Sequence, residues 1–196
     1  MIRSSLSRIT IFAVTALLAG PALAQDASSP AEDAAANEEV ATGQTYIRET
    51  ITDWSLRCIR GEGALEDDNC QLYQLLLDTS QNPVAEFTLL PAPEGSQAAA
   101  AITIVTPLET ILTEGLILSI DETTLPPQPF LWCNRTGCYS RFGVSDVEID
   151  AMKRGSVATV SIVALAAPQQ RVEVTASLRG FTAAFDKLKA ELTPPE

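Results

Sequence analysis

Along much of this chain apolar residues fall at every second position, most cleanly over residues 171–179. Val172, Val174, Ala176 and Leu178 take one side, and Arg171, Glu173, Thr175, Ser177 and Arg179 take the other. A period of two marks a strand with one buried and one wet face. The same pattern predicts a strand over residues 51–59, with Trp54, Leu56 and Cys58 inward and Ser55 and Arg57 outward. Residues 70–78 predict another, apolar on both faces toward its end and therefore central. Asn82-Pro83 marks a turn before a strand over residues 84–90, which stops at Pro91-Ala92-Pro93-Glu94-Gly95. Further strands are expected over residues 98–106, with Ile102 and Ile104 inward, and over residues 116–120 and 157–165. Pro107 interrupts after the first of these, and Pro126, Pro127 and Pro129 make a stiff connector. Residues 130–133 and 138–144 are predicted to form a hairpin around Asn134-Arg135-Thr136-Gly137, a loop length common between antiparallel strands.

Two segments break the period of two. After Ser145 the spacing is helical. The Ser145 hydroxyl can accept from the Glu148 backbone while the Glu148 side chain reaches back, which is a capping box. Asp146, Glu148 and Asp150 begin this helix and Lys153 and Arg154 end it, as the helix dipole favours. Gly155 is expected to close it as a C′ residue. Residues 181–192 predict a second short helix, with Phe181, Phe185 and Leu188 on one stripe and Thr193-Pro194-Pro195 as its stop. About eight or nine short strands and two short helices, with no βαβ alternation and no repeat, make a mostly β chain. A β-sandwich is the expected architecture.

The N-terminus has a different character. Arg3 and Arg8 give a positive start, residues 9–19 are apolar, and Ala22-Leu23-Ala24 follows Pro21 as a small-x-small cleavage signature. This is the pattern of a secretory signal peptide over residues 1–24. The apolar run is too short for a comfortable membrane span, and no later stretch matches it without a charge, Gly or Pro. No cysteine lies near the cleavage point for lipid attachment. Residues 25–45 are rich in Ala, Glu, Asp, Ser and Pro and nearly devoid of large apolar side chains. They read as a disordered acidic tether, and the folded domain is expected over residues 46–192.

Composition removes several functions. The chain carries 25 acidic against 13 basic side chains, a net charge of −12. Removing the leader takes two arginines and no acid, so the exported chain is more acidic still. Such a polyanion repels nucleic acid, and no basic cluster exceeds Lys153-Arg154. There is no histidine. Ser-His-Asp and Cys-His nucleophiles, histidine-ligated metals and an imidazole base are therefore all excluded. Paired carboxylates remain open as an acid–base device.

The four cysteines are Cys58, Cys70, Cys133 and Cys138. In an exported protein the default is two disulfides, and three pairings are possible. The local pairing, Cys58–Cys70 with Cys133–Cys138, is favoured because each pair flanks a turn-rich segment. Close C-x-x-C knuckles for zinc are absent, and C-x4-C across a hairpin differs from the usual redox motif.

The order of motifs resembles a known family. It runs Asp53-Trp54-x-Leu56-Arg57-Cys58, Cys70-Gln71-Leu72-Tyr73-Gln74, Thr106-Pro107-Leu108, then Gly115 to Asp121. Cys133-Asn134-Arg135-Thr136-Gly137-Cys138 and Leu178-Arg179-Gly180-Phe181 follow, with a short helix holding Phe185. Over residues 48–188 the chain is similar to the invasion-associated locus B (IalB) family of exported alphaproteobacterial proteins. The resemblance implies an immunoglobulin-like β-sandwich in the periplasm or outer envelope and, for pathogenic members, a link to host-cell entry. It brings no catalytic residues, and the cysteines carry over only as structural bridges.

Candidate sites are few. Glu62, Glu66, Asp67, Asp68 and Asn69 cluster in one loop but lack the alternating ligand order of a calcium site. A solvated loop with no metal is expected. Asn134-Arg135-Thr136 has the form of a glycosylation triplet and reads as a polar hairpin tip. Trp132, Arg135, Tyr139 and Arg141 gather at that tip, and Trp, Tyr and Arg are favoured at protein interfaces. The alternative is that Trp132 packs inward beside the second cysteine pair. Trp54, sharing a face with Leu56 and Cys58, is expected in the core. The chain is thus expected to be a periplasmic or secreted non-enzymatic module without cofactor, binding an envelope or host protein through the hairpin or a strand edge. A carboxylate-dependent glycan hydrolase and a thiol-redox protein are the alternatives.

Overall fold

The computed structural model describes residues 40–93 and 95–192, so the expected leader and most of the acidic segment lie outside the described residues. Eleven strands and two helices are present among them: β1 Thr45–Ile51, β2 Trp54–Ile59, β3 Asn69–Leu77, β4 Pro83–Pro91, β5 Ala100–Thr106, β6 Ile117–Ile120, β7 Thr123–Thr124, β8 Trp132–Cys133, β9 Cys138–Val144, α1 Asp146–Arg154, β10 Val157–Val163, β11 Arg171–Ser177 and α2 Phe181–Leu192. They form a seven-stranded sheet in the order β1-β2-β3-β4-β5-β9-β8 and a four-stranded sheet in the order β11-β10-β6-β7. Every pairing is antiparallel. The architecture is an immunoglobulin-like sandwich.

The inward faces are those the alternation marks. Trp54, Leu56 and Cys58 of β2, Leu72 and Leu76 of β3, Phe87 and Leu89 of β4, and Ile102 and Ile104 of β5 are buried. They meet Leu118, Ala158, Val160, Val174 and Ala176 of the smaller sheet in one core. Phe181, Phe185 and Leu188 of α2 enter the same core, as do Ile149 and Met152 of α1. Trp54 sits at its centre, edge-on to Phe87 at 5.6 Å and to Phe181 at 5.3 Å. Aromatic pairs in this geometry add to the area they bury.

Three expectations need correction. The strand expected over residues 51–59 is two elements. Ile51 pairs with Trp54 across a turn at Thr52-Asp53, with Thr52 at φ 58°. The strand before that turn, β1, has no clean alternation because a bulge between Ile47 and Glu49 shifts its register at the sheet edge. β3 is central, but Leu75 and Leu77 face outward and are exposed, so its second face is wet. Gly155 caps α1 with φ −78°, not in the left-handed region. A glycine suits that position because a Cβ would lie 2.9 Å from the Ala151 carbonyl oxygen and from Asp121 Oδ2.

Local chemistry accounts for the remaining joints. The α1 capping box is complete, with Ser145 accepting from the Glu148 backbone and Glu148 accepting from the Ser145 backbone. Cys58 and Cys70 are bonded and lie directly opposite each other on β2 and β3. Cys133 and Cys138 are bonded across β8 and β9.

A polar latch joins the two sheets. Gln74 donates from Nε2 to the carbonyls of Asp53, at 2.8 Å, and Ser177, at 3.1 Å. Its Oε1 accepts from the Ser177 backbone at 2.7 Å. The Ser177 hydroxyl donates to Asp53 at 2.6 Å, and Trp54 Nε1 donates to the Ser177 carbonyl at 2.9 Å. Gly180, at φ 80°, presses on the same turn, where a Cβ would stand 2.6 Å from Thr52 Cβ and 2.8 Å from the Ile51 carbonyl oxygen. Three separated sequence motifs therefore converge on one partly buried joint.

Candidate functional site

The hairpin at the far edge of the large sheet is built for rigidity. Trp132 pairs with Tyr139 and Cys133 with Cys138. The tip closes through Asn134, whose backbone donates to the Gly137 carbonyl at 2.9 Å and whose Oδ1 accepts from Thr136 at 2.8 Å. Gly137 lies so close to β5 that a Cβ would fall 2.3 Å from the Thr106 carbonyl oxygen. Only glycine allows that approach. Behind the hairpin, the buried Ser140 hydroxyl donates to the Pro129 carbonyl at 2.9 Å, pinning the proline connector to β9.

The side chains on the outer face of this frame stand out from it. Trp132 stacks on Tyr139 with ring centroids 4.9 Å apart and planes 13° from parallel. Trp132 is 45% exposed and its neighbour Leu131 is 55% exposed. Trp132 does not pack inward; the alternation on β9 turns Cys138 and Ser140 in and Tyr139 and Arg141 out. Arg135 at the tip and Arg141 on the strand are exposed. Neither meets a carboxylate among the described residues, whereas Arg48, Arg57, Arg60, Lys153 and Lys187 each do.

Exposed leucines that the sequence did not mark as site residues share this end of the sandwich. Leu108 follows Thr106, which pairs with Cys138. Leu165 is held to the same segment by its backbone bond to Glu109 at 2.7 Å. Nothing in the alternation marks them, because single exposed leucines are ordinary on protein surfaces.

The acidic loop has a structural task in place of full solvation. Asp68 is buried, with its side chain fully enclosed. It accepts from the Tyr46 hydroxyl, from Arg48 at 2.9 Å, from Arg60 at 3.2 Å and from the Gly61 backbone at 2.8 Å. These donors, the Tyr46 hydroxyl first, hold the Asp68 carboxyl down to about 2 against the opposing effect of burial. Asp78 is also pushed down, chiefly by the Asn82 side chain and backbone at the β3–β4 turn. A general acid requires a carboxyl pushed up, the reverse of both. No group of three or more potential ligand side chains is disposed for a metal among the described residues.

A cleft of about 610 Å³ opens at the opposite end of the large sheet, beside the Cys58–Cys70 bond. Ile59, Leu90, Pro91, Pro93 and Leu192 line it, with Asn69, Gln71 and Lys189 as polar groups. Its described lining contains no carboxylate pair.

What fold and surface define is a disulfide-bonded two-sheet sandwich with a rigid aromatic and cationic hairpin. The chain belongs to the family described as invasion associated locus B (IalB) protein, whose model matches residues 54–189. It is 27% identical over 154 residues to an invasion protein B homolog of Brucella abortus strain 2308, covering 76% of this chain and 82% of that one. A homolog from Brucella abortus biovar 1 strain 9-941 matches to the same extent. The crystal structure of invasion associated protein B from Bartonella henselae superposes with a TM-score of 0.59 at 16% identity. That likeness covers 75% of this chain and 96% of the other, and it is one of fold. The family is named for invasion and not for an enzymatic reaction.

Proposed function

We propose that this chain is an exported, non-enzymatic module of the periplasm or outer envelope that binds another protein through the Cys133–Cys138 hairpin. The observation that carries the reading is the Trp132–Tyr139 stack. Two large rings are held rigid and half out in water, where burial against a partner would gain most and ordering would cost least. Two disulfides fit an oxidising compartment, as does the leader expected over residues 1–24. No helix among the described residues is long and apolar enough to cross a membrane. The Brucella relatives are named for invasion, which supports a host protein, beside an envelope protein, as the proposed partner.

At the two edges of the large sheet, side-chain docking is favoured over strand addition. The β8 edge is two residues long and is preceded by Pro126, Pro127 and Pro129. The β1 edge is broken by its bulge. Short, bulged and proline-flanked edges resist pairing with another chain.

A photo-crosslinking residue at position 131, with a control at Glu173 on the wet face of β11, tests this in the native envelope. A discrete protein adduct is expected from position 131 alone, lost on Trp132→Ala. Equal adducts from both positions, or an adduct indifferent to Trp132→Ala, would overturn the reading. N-terminal sequencing of the processed protein should begin at Gln25.

A further inference from the structure

We infer that the segment docking on this hairpin is acidic, with an apolar side chain among its carboxylates. The inference rests on the protein-binding reading above and adds the chemistry of the partner. In a chain with 25 acidic and 13 basic side chains, carboxylates are in surplus. Arg48 and Arg60 share Asp68, Arg57 holds Glu86, Lys153 holds Asp186 and Lys187 holds Glu49. Arg135 and Arg141 hold none among the described residues; Arg154 and Arg171 hold none either, but they lie outside the hairpin that carries the exposed rings. Both belong to one hairpin and flank its exposed aromatic stack.

The neighbours across β5 keep that positive charge unneutralised. Arg141 lies opposite Thr103 and Tyr139 opposite Val105, both uncharged. Arg141 stands two residues from Tyr139 on the same face, about 7 Å along the strand. Arg135 projects from the tip beyond the disulfide. The result is an island of two guanidiniums around an apolar platform on a protein that is otherwise strongly negative. Guanidinium forks match carboxylates with two parallel hydrogen bonds. The rings between them suit an aliphatic or aromatic side chain lying flat. The chain's excess acid repels a polyanion at long range, so the attraction acts only within the screening distance of the hairpin, about 10 Å at 0.1 M salt.

Fluorescence of the full processed chain provides the test. Trp54 is fully buried and Trp132 is exposed, and these are the only two tryptophans, so acrylamide quenching reports Trp132. The probe is poly-L-glutamate, with poly-L-lysine and heparin as controls. Poly-L-glutamate is expected to protect Trp132 at about 0.1 M salt, where repulsion from the rest of the acidic chain is screened, and to lose this effect at about 1 M, where the screening distance falls to about 3 Å. The double variant Arg135→Glu/Arg141→Glu should weaken binding at least about tenfold. Arg154→Glu, at the end of α1 and away from the hairpin, should leave it unchanged. No protection by poly-L-glutamate, or protection that survives the double reversal, overturns the inference. Protection by heparin without poly-L-glutamate would assign the hairpin to an anionic glycan. Arginine-dependent dimerisation without the probe would assign it to a second copy. The crosslink from position 131 separates the two layers: an adduct insensitive to the double reversal keeps the protein-binding reading and removes only the acidic partner.

Discussion

Replacing Gln74 with alanine should destabilise the domain by about 2–3 kcal/mol, and the number follows from the latch. The substitution removes two bonds donated to the carbonyls of Asp53 and Ser177 and one accepted from the Ser177 backbone. Each contributes about 1 kcal/mol net, with a further penalty for any partner left buried and unpaired. The Ser177 carbonyl keeps its bond from Trp54 and the joint is only partly buried, which holds the sum near the lower end. At about 2–4 °C per kcal/mol for a domain of this size, Tm should fall by about 5–10 °C. Urea titration followed through tryptophan fluorescence measures it, with an unchanged m-value showing that only stability has moved. Gln71→Ala is the control, because Gln71 lies opposite Arg57 on the outward face. It should stay within about 0.5 kcal/mol of the parent. Gln74→Glu keeps the acceptor for Ser177 but loses both donors, so it should cost at least as much as alanine. If Gln74→Ala unfolds within about 0.5 kcal/mol of the parent, the latch does not hold the sheets and the reasoning fails.

The two disulfides should differ in worth. Closing the longer loop, with Cys58 and Cys70 separated by 12 residues, stabilises by about 3 kcal/mol, and the shorter one, separated by 5, by about 2 kcal/mol. Paired Cys→Ala variants should therefore rank in that order by thermal melting, and only the Cys133/Cys138 pair should also weaken the crosslink from position 131. Acid stability should depend on Asp68. Its folded value of about 2 lies below the ordinary 3.8, so it contributes stability that is fully present above about pH 4 and is lost as pH falls toward 2. Tyr46→Phe removes the largest cause of that depression, so the acid limb of an unfolding-versus-pH curve should move to higher pH. An unmoved limb would mean that the hydroxyl does not hold the charge.

Much of the sandwich is legible along the chain because alternation is a local property. Leu56, Phe87, Ile104, Val160 and Val174 announce their faces from their neighbours alone, and each is buried. The capping box at Ser145 and the α2 stripe are equally local. β1 was hidden because a bulge breaks its period and an edge strand has little apolar surface to display. The latch was hidden for another reason. Asp53, Gln74 and Ser177 are polar residues on different strands, and no sequence period links them. At the hairpin, the residues themselves are readable, but whether Trp132 turned in or out was not. That choice depends on the inward Ser140–Pro129 bond and on β9 presenting Tyr139 outward beneath the Trp132 ring.

Local sequence marks the inward faces of most core strands, the capped start of α1 and the absence of imidazole chemistry, and it favours the two local loops that cysteines close. Each follows from residues within one element or one turn, where the period of the backbone or the reach of a side chain settles the outcome. Tertiary structure alone decided that β9 returns beside β5, that Asp68 is enclosed by Tyr46, Arg48 and Arg60, and that Trp132 and Tyr139 stand out between arginines with no carboxylate partner among the described residues. These depend on which strands become neighbours, and that choice is made by the summed packing of the whole core, which no single segment encodes.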